Sequence, residues 1–224
     1  MKKIRNMLIS AIAIAAFTTS VFAGNFGVGV TGSVATVGGK GKLAESETGT
    51  ETESSGLLGQ AHNTAVVGSL FLEYTADSLY GMTIGFDYMP GEADIGDKVT
   101  RTDVNRTSAD DGDYSAAATL KNHYTVYAEL PIHAGMYVKA GYTELDVDIT
   151  TSAPSGNTYQ DTTADAIVLG VGYKNDFGTN GYYKIEGSYT DFDDIKSTST
   201  GTNPDSVTAD IDVTRATIAI GYKF

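Results

Sequence analysis

The 224-residue sequence has no cysteine, no tryptophan and only four prolines, and it has a single long apolar run, at its N-terminus. Without cysteine, the chain can form neither disulfides nor a lipid-anchored N-terminus. The apolar run, from Met7 to Phe17, is too short for a transmembrane helix, which needs about 20 apolar residues. Any insertion into a membrane must therefore use strands.

The N-terminus has the pattern of a secretory signal peptide. Lys2, Lys3 and Arg5 precede the apolar run, and Val21-Phe22-Ala23 follows it, which predicts cleavage after Ala23. The domain prediction is therefore a signal peptide over residues 1–23 and one all-β domain over 24–224. This domain carries 12 basic and 28 acidic residues, and such a charge argues against nucleic acid as a partner.

The final stretch, from Ala209 to Phe224, alternates strictly. From Thr214 onward one parity is apolar and ends on Phe224, and the other contains Arg215 and Lys223. A period of two predicts a strand with one apolar and one polar face. A strand of this length leaves a bare sheet edge unless the sheet closes on itself.

Seven further stretches alternate in the same way, so the sequence predicts an all-β, eight-stranded, antiparallel up-and-down transmembrane barrel. The connections after strands two, four and six are short, whereas those after one, three, five and seven are long and rich in Gly, Ser, Thr, Asp and Glu. This asymmetry is typical of outer-membrane barrels. The four long connections are predicted over Val37 to Ala65, Pro90 to Thr119, Thr143 to Asp165 and Thr190 to Val213.

The charged residues of the predicted strands all fall on one parity. A basic residue facing the lipid midplane costs about 2–4 kcal/mol, so the charged parity should face the lumen and form an internal ion-pair network. Glu129 and Lys139 are expected to face each other across one hairpin. The lumen set is Glu73, Asp87, Glu129, Lys139, Lys174, Lys184, Glu186, Arg215 and Lys223. Plugging of the lumen is favoured over a gate, because eight strands enclose a narrow interior.

Aromatic residues of the apolar parity cluster at the strand ends, where amphipathic rings lie at lipid headgroups. Those at the short-turn ends include Tyr222 and Phe224 of the last strand. The predicted girdle is Phe26, Tyr74, Tyr80, Tyr88, Tyr124, Tyr142, Tyr173, Tyr183 and Tyr189.

With these features, the chain resembles the small outer-membrane barrels of the OmpA, OmpX and opacity-protein type. The resemblance implies location in the outer membrane, a monomer, and contact with outer-membrane lipid and lipopolysaccharide. In that family the barrel-assembly machinery recognises an alternating last strand that ends in Phe. Here the matching residues are Ile218, Ile220, Tyr222 and Phe224.

Other motifs give weak signals. Gly27 to Gly32 fits G-x-G-x-x-G but lacks the strand and helix of a nucleotide site. The histidines His62, His123 and His133 have no metal-ligand spacing, and the acidic cluster Asp110 to Asp113 lacks the spacing of a calcium loop. We therefore expect no metal, no cofactor and no enzymatic activity.

The function predicted from the sequence is a structural or surface-interaction role, similar to adhesion, through long acidic extracellular loops whose ligand is unknown. A narrow porin-like channel for ions or small solutes is the alternative. A lipid A-modifying enzyme that uses His62 or His123 is a third possibility.

Overall fold

The computed structural model describes residues 26–44, 57–94, 99–103, 112–152, 158–200 and 206–224. Strands dominate this part of the chain, with one short 3-10 helix at Asp77–Leu79. Within it, no helix is long and apolar enough to cross a membrane. The strands are β1 (Phe26–Ala44), β2 (Leu57–Ala76), β3 (Met82–Asp94), β4 (Val99–Asp103), β5 (Gly112–His133), β6 (Met136–Ser152), β7 (Thr162–Phe177), β8 (Gly181–Phe192), β9 (Ile195–Thr198) and β10 (Ser206–Lys223).

The sheet closes into a barrel of eight antiparallel strands. The order is β1-β2-β3-β5-β6-β7-β8-β10, and β10 also pairs with β1. The short strand β4 pairs with β5 beyond the end of β3, and β9 pairs with β10 beyond the end of β8. The predicted eight-stranded up-and-down barrel is confirmed.

The register fixes the stagger of the barrel. A path of cross-strand partners around the barrel can start at Thr36 of β1. It passes through β10, β8, β7, β6, β5, β3 and β2 and returns to β1 at Phe26, ten residues lower. For eight strands this stagger corresponds to a tilt of about 40°. Ten residues of stagger over eight strands mean that cross-strand partners on neighbouring strands differ in height by about 1.25 residues.

Over the lower part of the barrel, the side chains show the reverse of the pattern found in water-soluble barrels. The exposed face is apolar, with Val30, Ile218 and Leu169 each more than half exposed. The buried face is polar and charged, with Glu73, Glu129 and Lys184 each at most 5 % exposed. The charged parity faces inward, as a lipid environment requires.

The strands continue well beyond the predicted ends, so the proposed loop boundaries are wrong. β1 runs to Ala44 and β2 begins at Leu57, although the sequence analysis placed residues 37–65 in a loop. The other three long connections are also partly strand, and residues 143–152 belong to β6. The reason is an inversion of the pattern: above Tyr142 the outward residues of β6 are acidic and the inward residues apolar.

A closed lumen and an acidic collar as the candidate functional site

A network of buried ion pairs fills the lower lumen. Lys184 on β8 lies 2.5 Å from Glu73 on β2 and 2.6 Å from Glu129 on β5. Lys174 on β7 gives Glu73 a second cation at 2.5 Å. The side chains of Glu73, Glu129 and Lys184 are at most 6 % exposed, so these pairs join strands across the lumen and fill the space between them.

Glu129 and Lys139 face each other as cross-strand partners, as predicted, but their salt bridges go to other residues. Lys139 instead donates to Glu186 of β8 at 2.8 Å, and the Tyr137 hydroxyl donates to the same carboxylate at 3.0 Å. Lys139 and Tyr137 of β6 are paired with Gly170 and Gly172 of β7. Since these glycines have no side chains, both β6 residues reach over β7 to β8.

The remaining lumen charges surround a small cavity. Ser69 donates to Asp87 at 2.6 Å, and Arg215 lines the cavity with Asp87, Lys139 and Glu186. Its volume is about 20 Å³, room for about one water molecule. The cavity can hydrate the charges but is too small for an organic solute.

Large aromatic side chains close the space beside the charges, and each covers a glycine on the neighbouring strand. Tyr127 is the cross-strand partner of Gly85, and Tyr182 is the partner of Gly221. A Cβ atom at Gly85 would overlap the Tyr127 ring, and the same holds for Gly221 and Tyr182. Such glycine–aromatic pairs permit strong strand curvature while keeping the interior filled.

The upper lumen contains an apolar cluster. Its members come from β1, β5, β6, β7, β8, β9 and β10, and all are at most 9 % exposed. This core was not predicted from the sequence, because most of its residues lie in stretches that were interpreted as loops. They are Val37, Leu120, Leu145, Val147, Ala164, Ala166, Phe192, Ile195 and Ile211.

Carboxylates form a collar on the outside at the height where the interior becomes apolar. We define the collar as the outward Glu144, Asp165, Asp191 and Asp212. After correction for stagger, each lies within about one residue of the height of Thr36. The collar lies about ten residues above Phe26, or roughly 25 Å at this tilt, which matches the height of the apolar band of an outer-membrane barrel.

The predicted girdle tyrosines occupy two levels relative to this collar. Tyr88, Tyr124, Tyr142 and Tyr189 lie about two to four residues below it, and the Tyr124 hydroxyl donates to Glu144. The lower level comprises Phe26, Tyr74, Tyr173 and Tyr183, where Phe26 contacts Tyr74 and Tyr173 contacts Tyr183.

Tyr80 differs from its predicted place in a strand. It follows the 3-10 helix in a left-handed conformation and is 96 % exposed. The proposed assembly residues all point outward, with Ile218, Ile220, Tyr222 and Phe224 each more than half exposed. Lys223 lies at the lower rim rather than deep in the lumen, where it pairs with Asp176 at 2.6 Å.

Among the described side chains, few basic residues lie near the collar. Lys121 of β5 pairs with Asp148 at 2.6 Å and with Glu92 at 3.2 Å. The hydrogen bond to Asp148, helped by that to Glu92, raises the pKa of the Lys121 amine. The upper wall is therefore predominantly anionic on β6, β7, β8 and β10.

In the described part of the chain, the weaker sequence motifs do not combine into one site. The glycines of Gly27 to Gly32 belong to β1, and no helix follows them. His123 shares a hydrogen bond of 2.6 Å with Thr143, whereas His62 is exposed on the outer surface. In the described residues no three His, Asp or Glu side chains are grouped to hold a metal ion. The acidic cluster Asp110 to Asp113 lies largely outside the described residues.

The family comparison agrees with this geometry. The model of the family described as outer membrane protein beta-barrel domain matches residues 9–224. The chain belongs to this family. Its location is therefore the outer membrane, whereas the signal peptide, which lies outside the described residues, remains a prediction. A search of curated proteins gave no match.

Several solved structures of outer-membrane proteins are similar to this barrel. The outer membrane protein OprG from Pseudomonas aeruginosa has a TM-score of 0.50 at 16 % identity, covering 90 % of this chain and 96 % of OprG. AlkL in lipid bilayers has a TM-score of 0.45 at 16 % identity, covering 90 % of each chain. Ail, the attachment invasion locus protein of Yersinia pestis, has a TM-score of 0.33 at 12 % identity, covering 88 % of this chain and 99 % of Ail. At 16 % identity, the likeness to OprG concerns the fold alone.

Proposed function

We propose that this protein is a non-conducting outer-membrane barrel whose role is surface interaction, carried by the anionic wall that projects above the membrane. The observation that carries the proposal is the closure of the lumen at bilayer height. Fixed ion pairs and aromatic rings fill this region, and the cavity among them holds about one water molecule.

The upper lumen supports the same function. Leu145, Val147 and Phe192 are buried in the apolar cluster, which gives the projecting wall a hydrophobic core like that of a water-soluble barrel. β5 and β6 hold this wall together, since their pairing extends to Ser115 and Ser152. The wall is therefore a folded surface that can present carboxylates in fixed positions.

The direct test is single-channel recording in planar bilayers, after heat-shifted gel mobility has established that the protein is folded. The proposal predicts no reproducible openings for the wild type. Steady openings that change with Arg215→Ala or Glu129→Ala would favour the porin-like alternative and contradict a plugged lumen.

Attachment can be tested separately on cells that display the barrel. The triple variant Glu144→Gln/Asp146→Asn/Asp148→Asn removes three outward carboxylates from β6 at little cost in volume. We expect weaker attachment to a cationic surface such as polylysine-coated glass. Thr36→Val/Thr64→Val, on the outer side of β1 and β2, where the described side chains include no carboxylate, is the matched control and should attach like the wild type. Equal attachment by the triple variant would exclude this wall as the contact surface.

A further inference from the structure

The ladder that closes the barrel joins β1 and β10, the first and last strands of the described chain. Every other ladder around the described barrel joins strands that lie close together in the chain, so its formation costs less loop-closure entropy. In the closing ladder, Gly29 of β1 and Gly221 of β10 lie directly opposite each other. Neither glycine has a side chain with which to fill the lumen beside this ladder.

Aromatic rings from the two flanking strands cover these glycines. Phe71 of β2 is the cross-strand partner of Gly29, and Tyr182 of β8 is the partner of Gly221. A Cβ atom at either glycine would overlap the ring that covers it. The Tyr182 hydroxyl extends further and lies 2.6 Å from the place that a Cβ atom of Gly27 would take. Tyr182 therefore reaches from β8 over β10 to β1.

The two rings meet over the paired glycines. Their centroids are 6.3 Å apart and their planes are inclined at 63°, which is the edge-to-face arrangement that aromatic pairs favour. Phe71 is 5 % exposed and Tyr182 is 0 % exposed, and they form a buried cluster with Ala219 of β10. This contact connects β2 to β8 across both terminal strands, on the lumen side of the closing ladder.

The same arrangement accounts for glycines of the G-x-G-x-x-G pattern in β1. Gly27 and Gly29 lie under the two rings, where a larger side chain would displace them, whereas a Cβ at Gly32 meets nothing within 4 Å. The buried parity of the last strand is also small here, with Ala219 and Gly221. Small lumen residues on both terminal strands thus combine with large lumen residues on both of their neighbours.

We propose that Phe71 and Tyr182 form a clasp that holds the closing ladder shut. When β10 separates from β1, β8 moves away from β2, and the ring contact that spans Gly29 and Gly221 must break. The clasp therefore slows the opening of the barrel beyond what the backbone hydrogen bonds of the ladder achieve. This inference requires only the closed barrel and is independent of the surface-interaction role.

The test measures how fast folded barrels open at a fixed temperature, by the loss of the folded band in heat-shifted gel mobility. All variants carry Val30→Cys/Ile220→Cys, an outward pair of partners in the closing ladder at a separation that a disulfide can span. The chain has no other cysteine, so reduced and oxidised forms of one sample are a matched pair. When reduced, Tyr182→Leu and Phe71→Leu should each open up to about tenfold faster than the parent, as expected for the loss of an aromatic contact. After oxidation this difference should vanish, because the ladder can no longer separate.

Controls distinguish the clasp from a general loss of packing. Tyr182→Phe keeps the ring and should open at the rate of the parent. Tyr137→Leu removes a ring that covers Gly172, away from the closing ladder, so any acceleration should persist after oxidation. Phe71→Leu/Tyr182→Leu should open no faster than the faster single variant, because both rings act through one contact. Equal acceleration of Tyr182→Leu in the reduced and oxidised forms would overturn the proposal, as would multiplied effects in the double variant. Phe71→Leu gives the same test from β2 if Tyr182→Leu does not fold.

Discussion

Removing the amine of Lys184 should destabilise the barrel strongly, because Lys184 lies between two buried carboxylates. Its Nζ atom is 2.5 Å from Glu73 and 2.6 Å from Glu129, and its side chain is 6 % exposed. Lys184→Met preserves most of the volume but leaves Glu129 without its ion-pair partner. Breaking a buried pair on one side costs about 3–5 kcal/mol, so we expect a loss of this size in the free energy of unfolding.

Urea unfolding in lipid vesicles measures this loss, followed by circular dichroism and by gel mobility. The double variant Lys184→Met/Glu129→Gln also removes the carboxylate left unpaired and should recover much of the stability, since Glu73 keeps its salt bridge to Lys174 and replacing a whole buried ion pair is often close to neutral. A loss below about 1 kcal/mol for Lys184→Met, typical of a solvated pair, would refute the reasoning. So would a double variant less stable than Lys184→Met.

Two further predictions concern packing. Gly85→Val should lower the free energy of unfolding in urea by about 1–3 kcal/mol, because the added side chain overlaps the Tyr127 ring. Gly187→Val should lower it less, because a Cβ there meets nothing within 4 Å. Equal losses for the two variants would contradict the glycine–aromatic pairing. Leu145→Ala should make the projecting wall susceptible to protease while the membrane-embedded part stays protected, because it leaves a cavity in the upper core beside Val147. Cleavage patterns identical to the wild type would show that this core does not stabilise the wall.

The sequence predicted the membrane-embedded part of the fold well because one rule applies there. In lipid a charged side chain must face inward, so the parity that contains Glu73 and Lys184 could be assigned to the lumen without coordinates. The exact ion pairs could not be predicted, because they depend on three-dimensional reach. Lys139 pairs with Glu186 rather than Glu129 because Gly170 and Gly172 leave space over β7.

The upper part was missed because the same alternation has the opposite meaning there. Above Tyr142, β6 turns acidic residues outward and apolar residues inward, so neither parity fits the lipid-facing pattern used to identify strands. Its Asp and Thr content also favours a loop interpretation. The upper end of β3 was missed for a different reason: Pro90 indicates a strand end in the sequence, but the register with β5 shows that β3 continues past it to Asp94.

The change of solvent at the collar is the central claim, and single-tryptophan probes test it most directly, since the chain has no tryptophan. Quenching by brominated lipids should be strong for Ile167→Trp, which faces outward below the collar. It should be weak for Thr150→Trp, which faces outward above the collar, and for Val168→Trp, which faces the lumen. Strong quenching at position 150 would contradict the account, because it would place the projecting wall inside the membrane.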